Sequence, residues 1–174
     1  MHADRTANLL GAAALAVTDL VLARAQQRAG VSASGAAALV VVSAAPGLSV
    51  TELGRRVGLS QSAAARMVDS LETSGLLRRQ PGQGREVAVH LTTGGRATAR
   101  KLLDTRGSGL AGVLENLDAD EQQALAGLLD KMLRGLYDRV GNAELLCRLC
   151  DRDSCTTGAV CPVGQAERDR TAGS

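Results

Sequence analysis

No phenylalanine and no tryptophan occur in this 174-residue chain, and its one tyrosine is Tyr137. Any core is therefore aliphatic, built from Leu, Val and Ala. The aromatic platforms on which single-stranded nucleic acid stacks are excluded, which leaves duplex DNA as the better nucleic-acid partner. Lysine is nearly absent beside many arginines, and no cysteine precedes Cys147. Long hydrophobic runs are also missing. The run Leu9 to Val17 is closed by Asp19 and is too short for a membrane span; Asp4 and the lack of a small-residue cleavage site argue against a signal peptide. A cytoplasmic protein with no membrane partner is expected. No nucleophile, base and orienting group can be assembled from the sequence, so no enzyme is expected either.

What is present centres on Leu48 to Thr92. Thr51 is a plausible N-cap with Glu52 in the first turn, where the helix dipole favours a carboxylate. Gly58 stops that helix, and Ser60 opens a second one in which Met67 and Leu71, four apart, share a buried face. The opposite face carries Gln61, Ser62, Ala65, Arg66 and Asp69. Such a face suits a helix whose N-terminal residues meet base edges in a major groove; Ser60 and Ser62 can cap the helix and also meet phosphate. Beyond Gly75 the period changes. Val87, Val89 and Leu91 alternate with Glu86, Ala88 and His90 as a half-buried strand, Leu76 to Gln80 can pair with it, and Pro81 to Arg85 forms the hairpin tip. Arg55 and Arg56 on the first helix, with Arg78, Arg79 and Arg85 at the hairpin, are candidates for the phosphate backbone. From Leu48 to Arg100 eight arginines face four acids, a surplus of four positive charges, whereas the whole chain carries only +2.

The segments TELGRRVGLSQSAAARMVDSLETSGLLRR and HLTTGGRA resemble the winged helix-turn-helix of the multiple antibiotic resistance regulator (MarR) family over Val50 to Arg96. In that family the domain is flanked by helices that build a homodimer. The resemblance implies a transcription regulator that binds double-stranded DNA as a homodimer, with room for an unidentified small-molecule effector between the dimer helices and the winged domain. At one position the chain departs from the family: Gln83 stands where an Asp usually braces the wing arginine.

The expected fold class is mainly α with a small β-wing. Residues 1–30 form a dimerisation helix, 31–92 the winged helix-turn-helix, 93–140 further dimerisation helices and 141–174 an extension with a tail. The first helix is apolar over a wide arc, through Leu9, Leu10, Val17, Leu20 and Val21. Ser32 or Ser34 caps a second helix that Pro46-Gly47 ends. Thr92 or Thr93 opens a long helix expected to bend or fray at Gly107, Gly109 and Gly112. Asp118 and Glu121 form a capping box before a last helix bearing Leu125, Leu128, Leu129, Met132, Leu136 and Val140 on one face. The polar residues Gln165 to Ser174 are expected to be disordered.

The extension holds all four cysteines, Cys147, Cys150, Cys155 and Cys161, at C-x2-C-x4-C-x5-C spacing with Pro162 following at once. Crowded thiols in a reducing compartment point to a metal site, and four thiolates complete either an iron-sulfur cluster or tetrahedral Zn2+. The single C-x2-C knuckle favours iron-sulfur over zinc; metal-free thiols acting as a redox switch remain open. An all-cysteine site offers a hydrolase neither an open coordination position nor a general base.

Overall fold

A computed structural model describes residues 2–82 and 87–173, so Gln83, Arg85 and Glu86 lie outside the described residues. The chain is mostly helical with one small antiparallel sheet. It begins with α1 (His2–Val17), which passes through a π-helical turn, Thr18–Leu22, into α2 (Ala23–Ala29) and closes at Gly30 in the left-handed conformation. This continuous helix is much longer than its apolar run suggested. Over Asp4–Ala29 it is long and apolar enough to cross a membrane, which corrects the argument from the run's length. Thr18 Oγ1 donates to Ala14 O at 2.7 Å within the helix.

The helix α3 (Ala33–Ala44) is capped by Ser32, whose Oγ accepts from Gly35 N at 3.1 Å. Its residues from Gly35 to Val42 are all buried, because a helix apolar on every side has to be covered on every side. Next come β1 (Leu48–Ser49), α4 (Val50–Val57) and α5 (Gln61–Thr73). The cap of α4 is Ser49, which accepts from Glu52 N at 3.2 Å; Thr51 is already the second residue of the helix, which corrects the expected cap. Gly58, at φ +75°, ends α4, and Ser60 Oγ accepts from Ala63 N at 3.4 Å to start α5.

The hairpin consists of β2 (Leu77–Pro81) and β3 (Val87–Leu91), registered so that Arg79 faces Val89. β1 pairs on the other side of β3, Leu48 opposite Val89, and makes a third strand that two residues were too few to announce. Val89 and Leu91 point into the core as their alternation implies. Val87, at the hairpin end and past the core's edge, is 44% exposed, and Ala88 is buried between its two strand neighbours.

Thr92 caps α6 (Thr93–Leu114), accepting from Gly95 N and donating to Gly75 O. α6 runs unbroken through its glycines. At Gly109 a Cβ would come within 3.1 Å of the Val21 methyls, so this glycine lets the π-turn of the first helix pack closely. The capping box opens α7 (Ala119–Val140), with Asp118 Oδ1 accepting from Glu121 N at 2.9 Å and Glu121 Oε2 from Asp118 N at 3.0 Å.

The remainder folds into α8 (Ala143–Leu146), α9 (Arg152–Thr156) and α10 (Pro162–Ala172). The disorder expected from Gln165 onward is therefore corrected: α10 packs along α7, with Val163 and Tyr137 buried together and the Arg170 guanidinium 6.0 Å from the Tyr137 ring. A single main core joins α3, α4, α5, the sheet and α6 through Leu39, Val42, Leu53, Val68, Leu77 and Val89. Outside it, Leu9, Leu10, Leu15 and Leu20 on the first helix and Leu128, Leu129, Leu136 and Val140 on α7 stand exposed.

Candidate nucleic-acid interface

The solvent face of α5 carries Gln61, Ser62, Arg66 and Asp69 exposed, with Ala65 half-buried between them. It stands out because Ala64, Met67, Val68 and Leu71 take the opposite face into the core. At the N-terminus of α5 the Ser60 and Ser62 hydroxyls lie 3.4 Å apart. Among the described residues Arg66 on α5 and Arg78 on β2 have no ion-pair partner.

Arg55, Arg56 and Arg79 are held by acids. Arg55 grips Glu52 with both Nε and Nη2 at 2.7 Å, and Arg56 Nε reaches the same carboxylate at 2.7 Å. These hydrogen bonds hold the Glu52 carboxyl at about 2, well below the usual carboxylate range. Arg79 ties β2 to α5, pairing with Asp69 at 2.6 Å and with Glu72, which also accepts from Arg79 N at 3.0 Å. Arg79 is thus a brace between two elements. Arg85, the remaining candidate, lies outside the described residues.

The four cysteines come together in a second place. Cys147 ends α8, Cys150 follows one turn later, Cys155 lies in α9, and Cys161 caps α10 with Sγ accepting from Gly164 N at 3.5 Å. All are free thiols, and all four line one cavity of about 290 Å³ together with Arg152 and Arg168. A hydrogen bond from Cys147 lowers the Cys150 thiol to about 6, helped by Arg106 and Arg152; the same bond, with burial, pushes Cys147 up. Burial raises Cys155. Among the described residues no group of three or more His, Cys, Asp or Glu side chains is placed to hold a metal ion.

Four residues that the sequence did not single out connect this cavity to the helix-turn-helix. Glu144 pairs with Arg56 at 3.4 Å and with Arg152; Asn142 Nδ2 donates to Arg55 O at 3.4 Å. Leu145 covers Gly58, and Leu149 packs on the main core. No local pattern marks them, because their partners in the winged domain lie far back in the chain.

Residues 29–86 match the family model described as MarR family. Among solved structures, wild-type MarR of E. coli in its apo form is 27% identical with a TM-score of 0.61, covering 73% of this chain and 96% of its own. A MarR-family transcriptional regulator from Silicibacter pomeroyi is 29% identical at a TM-score of 0.57, covering 74% and 88%. The Mycobacterium tuberculosis MarR family protein Rv2887, in complex with salicylic acid, is 28% identical at 0.56, covering 71% and 93%. No curated protein matches the chain.

Proposed function

With the MarR-family match over residues 29–86 and the MarR-type regulator fold as premise, we propose that this chain is a homodimeric transcription regulator of the cytoplasm that binds specific sites in double-stranded DNA and is not an enzyme. The observation that carries the reading is α5 itself: a serine-capped helix presenting Gln61, Ser62 and an unpaired Arg66 to solvent, beside a hairpin bearing Arg78. Side chains of that kind at a helix N-terminus read base edges, while the surrounding arginines set register on the phosphates. In the dimer two copies of α5 enter successive major grooves about 34 Å apart.

Residues 1–30 and 93–140 supply the dimer face, 31–92 the winged domain and 141–174 the sensing extension. The exposed leucines of the first helix and of α7 are taken as the faces that a second copy covers. The cysteine extension supplies the regulatory input through an iron-sulfur cluster, with Zn2+ as the alternative occupant. A second input is favoured by a cavity of about 480 Å³ between the first helix and α6, where Arg24 and Arg28 face Asp104 beside Leu20 and Val21; with two guanidinium groups to one acid it would take a small aromatic carboxylate such as the salicylic acid in the Rv2887 complex.

Selection of duplexes from a random pool by the full-length chain tests the reading. A pseudo-palindromic site should emerge, bound with an affinity that falls steeply as salt rises. Recovery of no enriched sequence, or binding indifferent to salt, leaves a winged-helix adaptor for protein partners as the better account.

A further inference from the structure

The short helix α8, which supplies part of the cysteine cavity's wall, packs against both α4 and α7. Leu145 of α8 lies against the turn that ends α4, so close that a Cβ on Gly58 would sit 2.9 Å from Leu145 Cδ1. Asn142 caps α8, accepting from Leu145 N at 3.0 Å, and its amide nitrogen donates to the Arg55 carbonyl. Glu144 bridges Arg56 of α4 and Arg152 of α9. Cys147 follows Leu145 by two residues and terminates the same short helix. Whatever moves Cys147 therefore moves the side chain wedged against α4.

Resting on the regulator reading above, we propose that Cys147, Cys150, Cys155 and Cys161 form an all-thiolate metal centre whose occupancy fixes α8 against α4, so that the helix-turn-helix itself responds to the metal state of the tail. Four sulfurs line one cavity of about 290 Å³, and binding a metal would draw them together. Each thiol that becomes a ligand gives its proton to solvent, and binding needs no electron transfer. Four thiolates around Zn2+ or around a cluster core of the same charge leave two negative charges. Arg168 in the cavity wall and Arg106 near Cys150 answer them; Arg152 in the same wall is shared with Glu144, which also pairs with Arg56, and Glu167 is the wall's other acid.

The test uses the full-length chain purified without oxygen. Zinc at one per chain, or iron with acid-labile sulfide and a visible absorbance band, establishes the centre and tells its two occupants apart. Titration with Co2+ should give a sulfur-to-cobalt charge-transfer band that C155S and C161S weaken, with metal affinity down about tenfold or more. Metal loading should slow hydrogen exchange of the α4 amides about tenfold and change affinity for the selected duplex by a similar factor. L145A, and independently E144Q, should keep the metal and lose both effects. A chain that holds no metal after reconstitution with Zn2+ or with Fe2+ and sulfide overturns the centre, and equal α4 exchange with and without metal overturns the coupling. Failure of loaded and unloaded protein alike to bind duplex, with metal content and exchange as expected, removes the regulator reading and leaves the metal centre standing.

Discussion

One carboxylate, Glu52, holds two of the arginines that a phosphate backbone would attract. Because the pair-forming side chains are partly exposed, solvent screens the interaction and DNA phosphates can compete for the guanidinium groups. E52Q should therefore strengthen binding to all duplexes and steepen the salt dependence, read by fluorescence anisotropy across a salt series. The same residue sets a pH dependence. Its folded-state carboxyl titrates near 2 against an ordinary value of 4.5, so the stability it adds is complete above 4.5 and is lost as pH falls towards 2. Thermal melts of wild type and E52Q should converge over that window and differ above it. Arg66 behaves otherwise, having no acid to leave: R66A should cost roughly 1–3 kcal/mol at the selected site and little on random duplex, whereas R78A should weaken both alike.

Elements are joined in this fold by caps and close approaches. Ser32, Ser49, Ser60, Thr92 and Asp118 each start a helix with a side-chain oxygen, which is why the helix order survives a core lacking large aromatics. At Gly95 on α6 a Cβ would lie 1.9 Å from the Leu76 carbonyl oxygen, at the point where the helix begins over the start of β2. Backbone cannot yield there as a flexible side chain can. G95A should lower unfolding free energy by about 3 kcal/mol, measured by urea denaturation, and an unchanged midpoint would show that α6 is free to shift. Arg79 links α5 to β2 through Asp69 and Glu72, so its replacement is felt as a loosened hairpin.

At the scale of the whole molecule, the leucines of the first helix and α7 call for a cover. Leu9 and Leu128 are 52% and 57% exposed in one copy. Patches of that kind mark interaction surfaces in soluble chains. A charge placed on them is incompatible with a buried seam, so, on the proposed reading, L128E should leave a monomer in sedimentation velocity where the wild type is a dimer, and should reduce affinity for a two-half-site duplex far more than for a half-site. A monomeric wild type would place the two copies of α5 under no common geometry and defeat the proposed reading of spaced half-sites.

The sequence by itself determined whatever rests on neighbours a few residues apart: the Ser60 cap, the Gly58 stop, the buried stripe of Met67 and Leu71, the Asp118–Glu121 box and the crowding of four cysteines. These depend on helix pitch and strand alternation, which spacing encodes. Tertiary structure decided which arginines stand free, since Asp69 and Glu72 bind Arg79 only once α5 meets β2. It also decided that a polar tail becomes a helix, because Val163 and Tyr137 bury each other, and that α8 presses on α4, because Asn142 and Arg55 lie 87 residues apart in sequence. Contacts across such separations depend on the whole path of the chain, and no local period records that path.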